Sequence, residues 1–213
     1  MRTPAASVDL ALVLAIDTSG SVSNDRMTLQ IHGCARAIED SRVIAAVRAG
    51  RHSRIAVTLV EWSSWDRQNQ VVDWTLIDDE STARSFAARI VRADRSIPGA
   101  TSIGGAINFS VKLFAECGYR ATRRVIDISG DGRDNDSDRD VTVARDDAVA
   151  AGITINGLPI LEVEEELELY YQERVIGGPD AFMIAADDFS SFGKAILQKL
   201  VSEIAFHPRS NVG

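Results

Sequence analysis

The chain has 213 residues, of which 45% are hydrophobic and 25% are charged, and its formal net charge is −8. This length and apolar content suffice for one sizeable core, and no shift in composition marks a second domain. The acidic balance argues against binding to nucleic acid or to anionic membrane surfaces and favours metal ions and cationic partners.

The ends of the chain are predicted to be short tails. Residues 1–7 form the first tail, residues 8–206 form one domain, and residues 207–213 form a polar second tail. No stretch approaches the roughly 20 apolar residues of a membrane span, so no membrane insertion is expected. The first seven residues also lack the apolar core of a secretory leader. The expected location is periplasmic or extracellular if an export leader was removed, and cytoplasmic otherwise.

The first predicted strand is the apolar run at residues 10–16. Its length and continuous apolar character suit a fully buried strand of a parallel sheet. The polar sequence D-T-S-G-S at residues 17–21 follows directly. It therefore lies at the carboxyl end of a strand, which is the edge where open α/β sheets bind ligands.

This polar turn has the composition of a metal site. Asp17, Ser19 and Ser21 alternate, and Gly20 lets the backbone bend sharply, so one carboxylate and two hydroxyls can converge on one point. Hard oxygen ligands of this kind suit Mg²⁺, Mn²⁺ or Ca²⁺ rather than Zn²⁺. Taken alone, the pattern favours a simple strand-to-helix turn in which Ser21 or Ser23 caps the next helix.

Strands and helices alternate along the rest of the chain. Apolar residues at helical spacing predict a first crossover helix from Met27 to about Arg48, with a bend at residues 39–41. Residues 55–62 are predicted to form the second strand, and residues 71–77 its antiparallel edge partner. The remaining predicted strands are 124–129, 153–158 and 181–186, and the remaining predicted helices are 81–93, 103–114, 144–151, 162–171 and 189–204.

The two cysteines, Cys34 and Cys117, lie in or at the end of predicted helices. If consecutive crossovers run in opposite directions from the first strand, those helices cover opposite faces of the sheet. A disulfide between the two cysteines is therefore not expected.

Two distant segments offer further oxygen ligands. Thr101 stands just before a predicted helix, and Asp131 stands just after a second apolar strand. The order D-x-S-x-S, then G-x-T, then an apolar strand followed by D-G resembles the metal-ion-dependent adhesion site (MIDAS) of von Willebrand factor A (VWA) domains. The resemblance covers roughly residues 8–204 and is closest to an uncharacterised bacterial branch of that superfamily. One departure is Ser-Gly-Asp-Gly at residues 129–132, where many members have Thr-Asp-Gly.

The resemblance implies a ligand set. Ser19, Ser21 and Thr101 would bind a divalent cation through their hydroxyls, and Asp17 and Asp131 would bind it directly or through water. The alternation of elements predicts an α/β fold, a three-layer sandwich with a doubly wound, mostly parallel sheet and one antiparallel edge strand. This is the VWA architecture that the resemblance implies.

The favoured function is a binding module in which Mg²⁺, or Mn²⁺ or Ca²⁺ in its place, captures an acidic group of a protein partner. A cation held mainly by neutral hydroxyls stays electrophilic, so an incoming Asp or Glu carboxylate binds it strongly. The predicted partner-binding rim consists of Trp65, Asp66, Ser102 and Asp134, with Trp65 at least partly exposed near a loop tip. No catalytic residue is predicted.

Two alternatives stay open. A metal-assisted phosphohydrolase would use Asp17 as its nucleophile, and a scaffold subunit would use the metal only to fasten loops. A haloacid-dehalogenase-type site would place a second aspartate where Ser19 stands. The three histidines, His32, His52 and His207, lie beside no plausible nucleophile. Enzyme activity is therefore not expected.

Overall fold

The structure, a computed structural model that describes residues 6–94 and 98–205, is built around a five-stranded sheet. Its strands are β1 (Ser7–Asp17), β2 (Ile55–Trp62), β3 (Gln68–Ile77), β4 (Arg120–Gly130) and β5 (Thr154–Pro159). The order across the sheet is β3-β2-β1-β4-β5, with β1 in the centre. β1 pairs in parallel with β2 and β4, and β4 with β5, whereas β2 and β3 are antiparallel.

Helices cover both faces of this sheet. They are α1 (Asn24–Glu39), α2 (Ser41–Ala49), α3 (Glu80–Arg92), α4 (Ile103–Leu113), α5 (Val141–Ala150), α6 (Leu167–Tyr170), which continues as the π-helical turn Tyr171–Val175, and α7 (Phe192–Ala205). The helices α1, α2, α3 and α7 share one core cluster, and α4, α5 and α6 share the other. The predicted three-layer α/β sandwich is confirmed. In the described part of the chain, no helix is long and apolar enough to cross a bilayer.

The central strand β1 is buried on both sides. Its side chains alternate, so that Leu12 and Leu14 pack toward α1 and α7, whereas Val13 and Ala15 pack toward α4. Burial on both faces explains the unbroken apolar sequence. The first polar side chain after this run, Asp17, is consequently held at the carboxyl end of the most constrained strand.

Most of the predicted elements are confirmed. β2 has the predicted bounds, and β3 is its antiparallel partner at the edge of the sheet. The predicted bend in the first crossover is at Asp40, which ends α1 and caps α2 by accepting the N–H of Arg42 at 2.9 Å. Cys34 and Cys117 form no disulfide with each other, as expected, and both are buried.

The chain ends lie mostly outside the described residues. Residues 1–5 and 206–213 include most of both predicted tails, and residues 95–97 belong to the loop before Thr101. Ser7, which was expected in the first tail, already begins β1. The domain limits remain predictions.

The prediction of a helix over residues 162–171 is wrong for its first half. Helical structure begins only at Leu167. The glutamates before it are engaged with basic residues of other segments: Glu162 accepts a hydrogen bond from Arg26 of α1 at 2.6 Å, and Glu164 pairs with Arg133 of the loop after β4. These contacts hold the acidic run as turns along the rim of the sheet.

The predicted strand at residues 181–186 is reduced to two isolated parallel bridges, at Met183 and Ala186. The N–H of Gly157 donates to Phe182 O at 3.1 Å, and the N–H of Ala186 donates to Pro159 O at 2.9 Å. Between these contacts, Pro159 has no N–H with which to continue the ladder. The missing donor explains why the segment lies beside β5 without forming a continuous strand.

The last helix, α7, is tied to the sheet by buried charges. Lys199 is fully buried and pairs with Asp127 of β4. Glu203 accepts a hydrogen bond from Arg123 at 3.1 Å and another from the side-chain amide of Asn156 on β5. Because a buried charge without its partner is strongly destabilising, these pairs hold α7 in one position against the sheet.

Removal of the Lys199 charge is therefore expected to destabilise the fold. Lys199→Met leaves Asp127 buried without its cation, so the free energy of unfolding measured with urea should fall by about 3–5 kcal/mol. Lys194→Met, at an exposed position of the same helix, is the matched control and should change it by less than about 0.5 kcal/mol. The double variant Lys199→Met/Asp127→Leu should recover most of the loss. Equal instability of the single and double variants would contradict the importance of the pair.

Candidate metal centre

The carboxyl ends of the parallel strands bring the predicted ligand loops to one edge of the sheet. The N–H of Gly20, after β1, donates to Gly99 O at 2.8 Å. The N–H of Asn135, after β4, donates to Thr101 O at 2.8 Å. The loop before α4 is therefore held between the two loops that carry the predicted aspartates.

The predicted ligands of the first and third segments are in direct contact. Ser19 Oγ and Ser21 Oγ lie 3.2 Å apart. Ser21 Oγ donates a hydrogen bond to Asp131 Oδ1 at 2.6 Å, although the two residues are 110 positions apart in sequence. Asp17 Oδ1 accepts the N–H of Ser19 at 2.6 Å, which holds the turn closed around the carboxylate.

The remaining predicted ligand, Thr101, is fixed by the acidic loop after β4. Its N–H donates to Asn135 Oδ1 at 3.0 Å, in addition to the backbone bond described above. A Cβ on Gly132 would lie 4.0 Å from Thr101 Oγ1, so the hydroxyl faces the turn next to Asp131. The sequence analysis did not identify Asn135, and its only signal was its place among the polar residues that follow Asp131.

A cavity of about 390 Å³ opens at this edge. Ser21, Thr101 and Asp131 line it together with Val163. Asp17 and Ser19 are almost completely buried and are not part of its lining. A ligand that enters this cavity therefore meets two hydroxyls and one carboxylate of the predicted set.

Both aspartates have buried oxygen atoms that are not used within the fold. Among the described residues, Oδ2 of Asp17 and Oδ2 of Asp131 accept no hydrogen bond. Burial raises the pKa of Asp17 to about 7; hydrogen bonds from Ser19 oppose this shift, and the Asp131 carboxylate adds to it. Burial also raises the pKa of Asp131. The Arg26 guanidinium, 3.9 Å from Asp131 Oδ2, offsets this burial only in part, and a bound cation would supply further positive charge.

The donor set fits a hard divalent cation. It consists of two carboxylates and three hydroxyls and contains no thiol or imidazole, which is the chemistry of Mg²⁺, Mn²⁺ and Ca²⁺ sites. In residues 6–94 and 98–205, no three His, Cys, Asp or Glu side chains cluster as a possible metal site. The candidate centre therefore depends on its hydroxyl donors.

Two of the four predicted rim residues are exposed. Trp65 has 58% of its surface accessible, as expected. Its backbone N–H donates to Asp136 Oδ2 at 3.1 Å, beside the acidic loop. Asp66 is exposed next to it. This loop therefore presents a large aromatic side chain close to the candidate centre.

The other two rim residues hold the start of α4. Ser102 is fully buried and its Oγ accepts the N–H of Gly105 at 3.2 Å, so the prediction that it lies on the contact rim is wrong. Asp134 Oδ2 accepts the N–H of Gly104 at 2.8 Å and the hydroxyl of Ser137 at 2.6 Å. The first N–H groups of a helix lack partners within the helix, and these side chains satisfy them.

Arg26, in the first turn of α1, is a site residue that the sequence analysis did not identify. Its guanidinium donates to Ser21 O at 2.8 Å and to Glu162 Oε1 at 2.6 Å. It also lies 3.9 Å from Asp131 Oδ2 and 5.0 Å from the centre of the Phe189 ring. A basic side chain at a helix N-terminus, where acidic ones are favoured, was the available signal.

The DUF1194 family, described as a protein of unknown function, matches residues 7–208 of the chain. The chain belongs to the DUF1194 family. No curated protein matches this DUF1194 chain.

Solved structures similar to the DUF1194 chain include VWA proteins. Proximal thread matrix protein 1 from the mussel byssus, with a zinc-occupied MIDAS motif, has a TM-score of 0.65 at 17% identity over 93% of this chain and 46% of its own. A von Willebrand factor type A protein from Catenulispora acidiphila has a TM-score of 0.64 at 15% identity over 93% and 42%. The pilus adhesin SpaC from Lactobacillus rhamnosus GG has a TM-score of 0.65 at 13% identity over 93% and 31%.

These likenesses establish the fold of the DUF1194 chain, which is VWA-like, as the resemblance predicted. The chain spans less than half the length of each of the three proteins. None of the three is named as an enzyme.

The burial of Asp17 predicts a pH dependence of stability in buffer that contains EDTA. Unfolded aspartate has a pKa of about 3.9, whereas that of folded Asp17 is about 7. Between these values the folded state keeps a proton that the unfolded state has lost, so this group's contribution to stability falls as the pH rises. Asp17→Asn removes the titration, and its free energy of unfolding should therefore decline less than that of the wild type between pH 4 and 7, as measured with urea.

The exposed Asp73 of β3 provides the control for this experiment. Asp73→Asn should leave the wild-type pH dependence unchanged. If the curves of Asp17→Asn and wild type run parallel across the interval, the Asp17 carboxyl group is not buried in the way described.

Proposed function

We propose that this protein is a divalent-cation-dependent binding module that captures an acidic group of a protein partner. In this proposal Ser19, Ser21 and Thr101 ligate Mg²⁺, or Mn²⁺ or Ca²⁺, through their hydroxyls, and Asp17 and Asp131 bind it directly or through water. The observation that carries the proposal is the pair of buried Oδ2 atoms without hydrogen-bond partners, next to a cavity lined by two of the hydroxyls.

In this proposal the bound cation is the feature that attracts an acidic partner group. The cation would supply an electrophilic coordination position for the incoming carboxylate. Arg133 lines the cavity, but it pairs with Glu164 and Glu166, so its charge is already matched. Without the cation, the acidic cavity would repel a carboxylate, and binding should therefore require the metal.

Exposed apolar side chains provide contact area for a protein rather than for a small anion. Trp65 and Val163 are 58% and 53% exposed, and Val163 lines the cavity. Aromatic side chains next to a polar anchor are frequent sources of binding energy in protein interfaces. The likeness to a pilus adhesin and to a matrix protein with a metal-occupied MIDAS motif supports the same class of function.

The phosphohydrolase alternative is disfavoured by the position of Asp17. A nucleophile must reach the phosphorus atom of its substrate, whereas the Asp17 carboxyl is fully buried and accepts the N–H of Ser19. The scaffold alternative, in which the metal only fastens loops, shares the metal site and differs in having no partner that depends on it.

Metal binding should stabilise the folded protein. Addition of Mg²⁺ or Mn²⁺ at 100 times its dissociation constant should raise the free energy of unfolding by about 2.7 kcal/mol and increase Tm by several degrees. Asp17→Ala and Asp131→Ala should abolish the shift, because each removes a ligand and a negative charge. Differential scanning calorimetry with and without EDTA measures it. Asp73→Ala, at an exposed position, should show the same metal-induced increase in Tm as the wild type. Equal shifts in all four proteins would refute the site.

Carboxylate capture should protect the metal loops and leave α7 unchanged. A peptide with a single aspartate should bind in Mg²⁺, whereas the same peptide with asparagine, or the first peptide in EDTA, should not. Hydrogen exchange should slow at residues 17–21 and 131–135, while α7 stays as it was, because Lys199 and Glu203 hold it by buried charges. Altered exchange in α7 at saturating peptide would contradict a rigid site. An increase in Tm on addition of metal, without any binding of the peptide, would favour the scaffold alternative.

A further inference from the structure

Tyr171 places a buried hydroxyl beside the candidate metal centre. Its side chain is 0% exposed, and among the described residues its hydroxyl has no hydrogen-bond partner. Asp17 Oδ2 is buried and without such a partner in the same way. A Cβ on Gly130 would lie 2.9 Å from Asp17 Oδ2 and 3.0 Å from the Tyr171 hydroxyl. A hydrogen-bond donor and an acceptor, neither of them used elsewhere, thus border the same gap.

Two glycines on neighbouring strands make room for the Tyr171 ring. A Cβ on Gly157 of β5 would lie 2.7 Å from Tyr171 Cδ1, which is closer than carbon atoms approach without a shift. Gly157 pairs with Ile128, two residues before Gly130 on β4. The ring therefore crosses from β5 to the end of β4, and its hydroxyl reaches the gap next to Asp17.

This gap accounts for the departure from the VWA pattern at residues 129–132. When the two motifs are aligned on Asp-Gly, Gly130 stands where the VWA pattern has threonine, and its missing side chain leaves the gap between Asp17 and Tyr171 open. Any larger residue at position 130 would press on both oxygens. The glycine and the tyrosine thus form one arrangement, although they are 41 positions apart in the sequence.

The backbone around Tyr171 is shaped to deliver its side chain. The π-helical turn begins at Tyr171, and the N–H of Ile176 donates to Tyr171 O at 3.0 Å. Leu167 and Val175, on either side, are fully buried and fix the segment against the core. Widened turns of this kind are frequent at functional sites.

The Tyr171 hydroxyl remains a donor at any ordinary pH. Burial, followed by the Asp17 and Asp131 carboxylates, raises its pKa well above the usual range. A buried hydroxyl without a partner destabilises the folded state. Phenylalanine would therefore be more stable at this position if the hydroxyl had no role.

We propose that Tyr171 is a positioning residue of the metal centre, and that its hydroxyl donates a hydrogen bond to Asp17 Oδ2, directly or through one water. The inference rests on the proposed function, because a positioned carboxylate matters only if Asp17 contributes to cation binding. Groups that orient ligand side chains in this way typically change metal affinity by 10–100-fold when they are removed.

The test is Tyr171→Phe, with Tyr119→Phe as the matched control. Tyr119 is half-buried just before β4, at the opposite end of the sheet. Isothermal titration calorimetry with Mg²⁺ and Mn²⁺ should give a dissociation constant 10–100 times higher for Tyr171→Phe and an unchanged one for Tyr119→Phe. In EDTA, the urea midpoint of Tyr171→Phe should equal or exceed that of the wild type. A residue that only packs the core would lower the midpoint and leave the dissociation constant unchanged.

A spectroscopic measurement reports on the hydroxyl itself. Addition of Mg²⁺ to the wild type should produce a tyrosine difference spectrum in the near ultraviolet, because a cation that binds the Asp17 carboxyl group changes the charge and the hydrogen bonding next to the phenol. The same addition to Tyr171→Phe should produce no such spectrum, and Tyr119→Phe should retain it.

The outcomes separate the inference from the function on which it rests. If the wild type binds Mg²⁺ or Mn²⁺ and Tyr171→Phe binds it equally well, the role of Tyr171 is overturned and the proposed function stands. If the wild type binds neither ion, the metal centre fails, and the role of Tyr171 fails with it.

Discussion

The structure at the carboxyl edge of the sheet depends on two carboxyl groups, Asp17 and Asp131, that are buried close together without matching positive charge. Such burial is unfavourable for ionised groups, and the raised pKa values of both express this cost. The surrounding groups compensate only in part: Ser19 and Ser21 each donate to one carboxylate oxygen, and Arg26 stays 3.9 Å away from Asp131. The remaining need for positive charge is what makes this edge a candidate cation site.

The face of the sheet covered by α7 deals with buried charge differently. There Lys199 pairs with Asp127, and Arg123 pairs with Glu203, so opposite charges meet within the fold and fasten α7 to β4. The central strand is buried on both faces and holds Asp17 rigidly. A rigid scaffold with charge left unmatched at one edge is the usual construction of a binding site carried by loops.

The sequence by itself determined the framework and the identity of the chemical groups. The apolar run of β1 and the helical stripes specify their elements because side-chain period and burial are local properties. The spacing of Asp17, Ser19 and Ser21 predicted a metal-binding turn for the same reason, since a strand end and a sharp turn bring alternate residues together. Asp131 could be associated with them because parallel strands deliver their following loops to one edge, whereas Thr101, which follows a helix, was associated with them through the resemblance to the VWA motif.

Only the tertiary structure decided what the remaining polar residues do, because their roles depend on partners far away in the sequence. Ser102 is buried as a helix cap rather than exposed on a rim, and Pro159 interrupts the pairing of the last predicted strand. Arg26 reaches Glu162 across 136 positions. The Tyr171 hydroxyl and the Asp17 carboxyl group border the same gap at Gly130. The local sequence around neither residue indicates that the two lie together. Contacts of this kind follow from packing, which a period or a turn motif does not encode.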